Sequence, residues 1–132
     1  MRTEESRWLI RRRNADLMAA YKEVMRLHWD EPRADIIRRL LACPAGGFYV
    51  LPEQAMRLVS YYESHGRFPV KKGTSTEKYA EIMRRFKAHP DLGKRQKIDI
   101  MNEIVSQPAP AFYLTEKSCA VTVTRLLREG FR

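Results

Sequence analysis

Cysteine is scarce. Cys43 and Cys119 are the only two in 132 residues, which excludes a disulfide framework. With His28, His65 and His89 far apart, no Cys/His group has the spacing of a zinc site. Glycine is sparse too, at six residues, and neither Gly46-Gly47 nor Gly66 and Gly73 match a P-loop or a dinucleotide-binding pattern. No apolar run approaches the ~18 residues of a membrane span. The opening stretch has charge on both sides of Trp8-Leu9-Ile10, unlike a signal peptide. A reducing, cytoplasmic setting is therefore expected, with no membrane, cofactor or metal. No nucleophile has a base at a recognisable spacing, so a non-enzymatic protein is expected.

What is present is positive charge on a globular background. Hydrophobic residues make up 44% of the chain, too many for a disordered polymer. The net charge is +9, and it is unevenly spread. Residues 1–66 hold 11 Lys+Arg against 9 Asp+Glu; residues 67–132 hold 14 against 7. The stretch 67–97 accounts for that excess, with Arg67, Lys71, Lys72, Lys78, Arg84, Arg85, Lys87, Lys94, Arg95 and Lys97 against Glu77, Glu81 and Asp91. Arg11-Arg12-Arg13 forms a second basic knot. Clustered Lys and Arg attract polyanions through counterion release.

Two segments recur. Tyr21-Lys-Glu-Val-Met-Arg26 matches Tyr79-Ala-Glu-Ile-Met-Arg84, and Pro44-Ala-Gly-Gly-Phe-Tyr-Val50 matches Pro108-Ala-Pro-Ala-Phe-Tyr-Leu114. Matches in the same order imply a tandem duplication. The expected fold is mainly α: a three-helix, helix-turn-helix-like unit made twice, with a short extended Phe-Tyr-Val or Phe-Tyr-Leu segment before each third helix. Residues 1–13 form a basic arm or short helix, 14–64 the first repeat, 65–75 a linker and 76–132 the second. The repeats pack as one compact domain.

Within each unit the signals are local. Asn14 reads as an N-cap for a helix over 15–28, with Leu17, Tyr21, Val24 and His28 on one face. An Ile-Ile-x-x-Leu-Leu stripe marks a second helix over 33–42, and Pro52 opens a third over 52–63. In the second unit Thr76 reads as an N-cap, 94–106 as the second helix, and Thr115 as the cap of a helix over 116–128. Ala55, Val59 and Tyr62, like Cys119, Val123 and Leu126, should face inward. That leaves Gln54, Arg57, Leu58 and Tyr61 elsewhere, and Ser118, Thr122 and Arg125 on another face. The Phe-Tyr pairs read either as core plugs or as a surface for stacking. Trp29 is expected to close the core beside Pro32.

The chain also resembles small basic bacterial proteins carrying the pattern seen in Arg13-Asn14-Ala-Asp16-Leu17-Met-Ala-Ala20-Tyr21 and in Gln107-Pro-Ala-Pro-Ala-Phe112-Tyr-Leu-Thr115. The resemblance implies a bacterial or mobile-element context and transfers no activity.

The expected function is nucleic-acid binding, to double-stranded DNA. The candidate contacts are Lys71, Lys72, Lys78, Arg84, Arg85, Lys87, Lys94, Arg95 and Lys97, with Ser118, Thr122 and Arg125 on the third helix and Arg11, Arg12 and Arg13 near the start. The alternative is a protein-interaction or assembly module, a homodimer through the repeated aromatic segments.

Overall fold

The computed structural model describes residues 4–71 and 73–130. Six helices follow in order: α1 (Glu4–His28), α2 (Arg33–Leu41), α3 (Pro52–His65), α4 (Thr74–Lys87), α5 (Lys97–Val105) and α6 (Glu116–Arg128). No strand occurs among the described residues, and the chain is mainly α.

Local chemistry sets most boundaries. Pro52 begins α3, where its missing N–H is not needed. Gly66 ends that helix at φ 73°, and its N–H donates to the Tyr62 carbonyl at 2.7 Å. Thr115 caps α6 by accepting the Ser118 N–H at 3.0 Å, whereas Leu51 offers α3 no side-chain cap.

Several features differ from expectation, among them the helix expected over 94–106, which begins only at Lys97. Asn14 does not cap a helix. Residues 4–13 are already helical, and Asn14 is buried within α1, where its Oδ1 accepts from the Arg13 guanidinium at 2.9 Å. Thr76 does not cap α4, which starts two residues earlier behind Gly73; the Thr76 hydroxyl instead donates to the Lys71 carbonyl. The aromatic segments are not extended. Tyr49 and Tyr113 sit at φ 59° and 58°, so each turns the chain. The left-handed region costs an L-residue roughly 1–2 kcal/mol, which surrounding contacts must offset.

The packing crosses the order of the chain. Helices α1 and α2 pack on each other and on α6, while α4 and α5 pack on each other and on α3. Among the described residues α3 meets neither α1 nor α2, and α6 meets neither α4 nor α5. Thus α3 covers the α4–α5 pair and α6 the α1–α2 pair. This grouping evens out the charge. Residues 4–42 with 116–130 hold 12 Lys+Arg against 9 Asp+Glu; residues 52–105 hold 11 against 7.

The connecting segments 43–51 and 106–115 contain no charged residue. There Ala45 and Ala109 exchange two backbone hydrogen bonds at 2.9 Å as a single antiparallel bridge. Phe48 stacks on Tyr113 at 6.2 Å and Tyr49 on Phe112 at 6.3 Å. Phe48 and Phe112 are buried in one continuous core with Leu17, Leu40, Val59, Ile82, Ile104 and Val123. Truncating a ring so placed costs about 3–5 kcal/mol.

The two tyrosines are not equivalent. Tyr49 donates its hydroxyl to Asp16 Oδ2 at 2.6 Å and accepts the Gly46 N–H at 3.0 Å. A Cβ at position 46 would meet that carboxylate oxygen at 2.7 Å, which explains the glycine. At the matching place in the second half stands Pro110, which has no N–H to offer. Tyr113 makes no hydroxyl hydrogen bond among the described residues.

Two side chains face differently from expectation. Leu58 is buried, so α3 inserts a wider apolar stripe than Ala55, Val59 and Tyr62. Trp29 is 72% exposed, because α1 ends at His28 and the turn carries the indole outward.

Candidate nucleic-acid interface

The basic residues divide into those bound into the fold and those left open. Arg85 belongs to the first kind. Its Nε donates to Glu81 at 2.7 Å, and its NH1 donates to the Pro108 carbonyl at 3.0 Å and to Gln107 at 3.2 Å. Its guanidinium lies 4.9 Å over the Phe48 ring. Arg84 also donates to Glu81, at 3.0 and 2.7 Å. Together the two arginines, Arg84 first, hold the Glu81 carboxyl down at about 2, against a smaller opposing effect of burial. Arg95 bridges Asp91 and Glu103 at 3.1 and 3.0 Å. Lys78 is half-buried with its ammonium 5.2 Å from the Tyr79 ring; burial first, then nearby Arg13, lowers its pKa.

Lys87, Lys94 and Lys97 are exposed and have no ion-pair partner among the described residues. Lys87 and Lys97 line one shallow groove of about 720 Å3 with Tyr62, Glu63, Gly66 and Phe86. This groove lies where α3 and α4 end and α5 begins. Gly66 and Gly93 are in its wall, and Arg67 and Lys94 follow them directly in the chain. Gln96 gives α5 no side-chain cap.

Other candidate residues lie apart. Ser118, Thr122 and Arg125 are on α6, which packs with α1 and α2 rather than with α4 and α5. Arg125 pairs with Glu129 at 3.1 Å, and Thr122 is half-buried. Arg11 and Arg12 are exposed on α1, with Arg12 over the Trp8 ring at 5.5 Å. Arg13 is bound to Asn14. Lys71 is exposed between α3 and α4, and Lys72 lies outside the described residues.

Sequence reasoning noted Arg57 and Arg67 but did not count them among the candidate contacts. Arg67 lies 5.6 Å over the Tyr61 ring, which stacks on His65 at 3.9 Å. The signal was present: Arg57, Tyr61 and His65 recur at i, i+4 and i+8 on α3.

Both cysteines are free thiols, and burial raises Cys119 to about 11, far from a reactive thiolate. Among the described residues no three His, Cys, Asp or Glu converge on a metal position, and no helix is long and apolar enough to cross a membrane. Comparison with models of protein families, with curated proteins and with solved structures finds no match.

Proposed function

We propose that the chain is an internal duplication of a three-helix unit whose third helices are exchanged, and that it binds double-stranded DNA without catalysis. The duplication is supported by pairs of like features 64 residues apart. Tyr49 and Tyr113 share a positive φ, Ala45 and Ala109 bond reciprocally, and the rings of Phe48 and Tyr49 stack on those of Tyr113 and Phe112. The grouping of α1, α2 and α6 mirrors that of α4, α5 and α3.

The single observation behind the binding reading is the set of unpaired cations at one end of the α3–α5 group: Lys87 and Lys97 in the groove, with Lys94 and Arg67 beside it. Cations already neutralised by carboxylates release fewer counterions on meeting a phosphate backbone. The open lysines therefore supply most of the favourable free energy. Arg84, Arg85 and Arg95 are already paired with Glu81, Asp91 and Glu103 and so contribute less. The repeated aromatics are occupied with each other, which leaves them little part in self-association.

The test is a salt titration on random duplex DNA by fluorescence anisotropy. Binding should weaken steeply with salt, with a log–log slope near −0.9 for each phosphate neutralised. In Lys87→Glu/Lys97→Glu, that slope should fall by about two phosphates. Absence of binding at low salt, or an unchanged slope in the double variant, would overturn the reading.

A further inference from the structure

A second groove has the opposite chemistry. It runs between the first half of α1 and α5, over the segment from Gly47 to Glu53, and encloses about 750 Å3. That volume lies within the range of ligand pockets. Its floor is Tyr49, Val50, Leu51 and Pro52, with Ile98 and Val105 on the far wall. All the buried residues of α1 lie from Asn14 onward, so residues 4–13 overhang the core. Trp8 is 51% exposed on that overhang and lines the groove. Residues 4–13 have no partner in the second half, where α4 starts at Thr74, in register with Asp16. The overhang is therefore an addition to the helical unit, and its apolar side is not needed to complete either helix group.

Charge identifies what would cover that side. Glu4, Glu5, Glu53 and Asp99 line the groove against only Arg11 and Arg12, in a protein of net charge +9. Glu5, Glu53 and Asp99 have no ion-pair partner among the described residues; Glu4 pairs with Arg7. Arg12 is already placed over the Trp8 ring. A nucleic acid would be repelled here.

We propose that this groove docks a basic peptide segment of a partner protein, an aliphatic or aromatic side chain seated on the Val50–Pro52 floor beside Trp8 and flanking Lys or Arg residues paired with Glu5, Glu53 and Asp99. The docking does not depend on the DNA-binding reading, since the two surfaces share no residue. Apolar anchoring gives the affinity, and the carboxylates select the sign of the partner's charge.

Trp29→Phe removes the chain's other tryptophan and leaves Trp8 as sole reporter. A short peptide alternating Leu and Lys should shift Trp8 emission to the blue and saturate, whereas its Leu–Glu counterpart should not. Glu53→Lys/Asp99→Lys, both exposed positions, should weaken the Leu–Lys peptide about tenfold or more without lowering duplex DNA affinity. Should that variant misfold, Glu5→Lys/Glu53→Lys repeats the reversal with Glu5, also exposed, in place of Asp99. No response, an equal response to both peptides, or full affinity after charge reversal would each refute the docking site. Loss of DNA binding alone would leave it standing.

Discussion

Arg85→Ala separates two roles that a basic residue can play. In sequence Arg85 sits in the most cationic stretch and reads as a phosphate contact. In the structure it joins α4 to the segment after α5 through the Pro108 carbonyl and Gln107, and it covers the Phe48 ring. Its side chain is only 22% exposed. Two charge-assisted hydrogen bonds contribute about 1 kcal/mol each after allowing for partial solvation, and the guanidinium–ring contact about 0.5–1. The ion pair with Glu81 adds a few tenths. Removing all of them should cost about 2–4 kcal/mol. For a chain this size each kcal/mol lowers Tm by about 3–5 °C, so a drop of about 6–20 °C is expected by thermal melting. DNA affinity measured well below that Tm should stay within about twofold of the parent, the reverse of the expectation for Lys87→Glu/Lys97→Glu. An unchanged Tm together with lost DNA affinity would refute the assignment of Arg85 to the fold.

Tyr49→Phe should cost about 1–2 kcal/mol by urea denaturation, because it strips partners from Asp16 and Gly46; Tyr113→Phe should stay within about 0.5. Equal costs would show that the Asp16 contact contributes nothing. Acid titration provides a further test. Glu81 is held at about 2 when folded and returns to the usual carboxylate range, near 4.3, when unfolded. Its stabilisation is therefore complete above that range and fades as pH falls through the folded value. Glu81→Gln should lower Tm at neutral pH and flatten its decline between about pH 4.5 and pH 2. A parallel decline in both proteins would place the pH dependence elsewhere.

What was legible in the sequence was periodic or local. The stripes Ile36-Ile37-Leu40 and Cys119-Val123-Leu126 announced buried faces, and Pro52 and Thr115 marked helix starts. Phe48 and Phe112 are buried, the core-plug reading of the two that their repetition allowed. What was hidden depended on partners distant in the chain. No short-range pattern shows that α6 joins α1 and α2, because that choice is made by core packing across the whole molecule. The start of α1 was obscured because Asn14 is a good cap in isolation, while here its polar atom is satisfied by Arg13. For the candidate site, counting charge along the sequence could not tell a bound arginine from an open lysine. Glu81 lies three and four residues before Arg84 and Arg85, a helical spacing that pairs them and takes both out of the open set.

The crossing of α3 and α6 has a consequence for cleavage. A cut between Gly66 and Gly73 would free two pieces, each a helix pair without its covering helix and each carrying the helix that the other lacks. Each piece would expose the apolar face that its missing helix covers, and a one-to-one complex would close the core again. The linker seats Phe68 in the core between Tyr62 and Tyr79 and also raises the local concentration of each piece for the other, so shortening it until it cannot span the gap would favour exchange of pieces between chains.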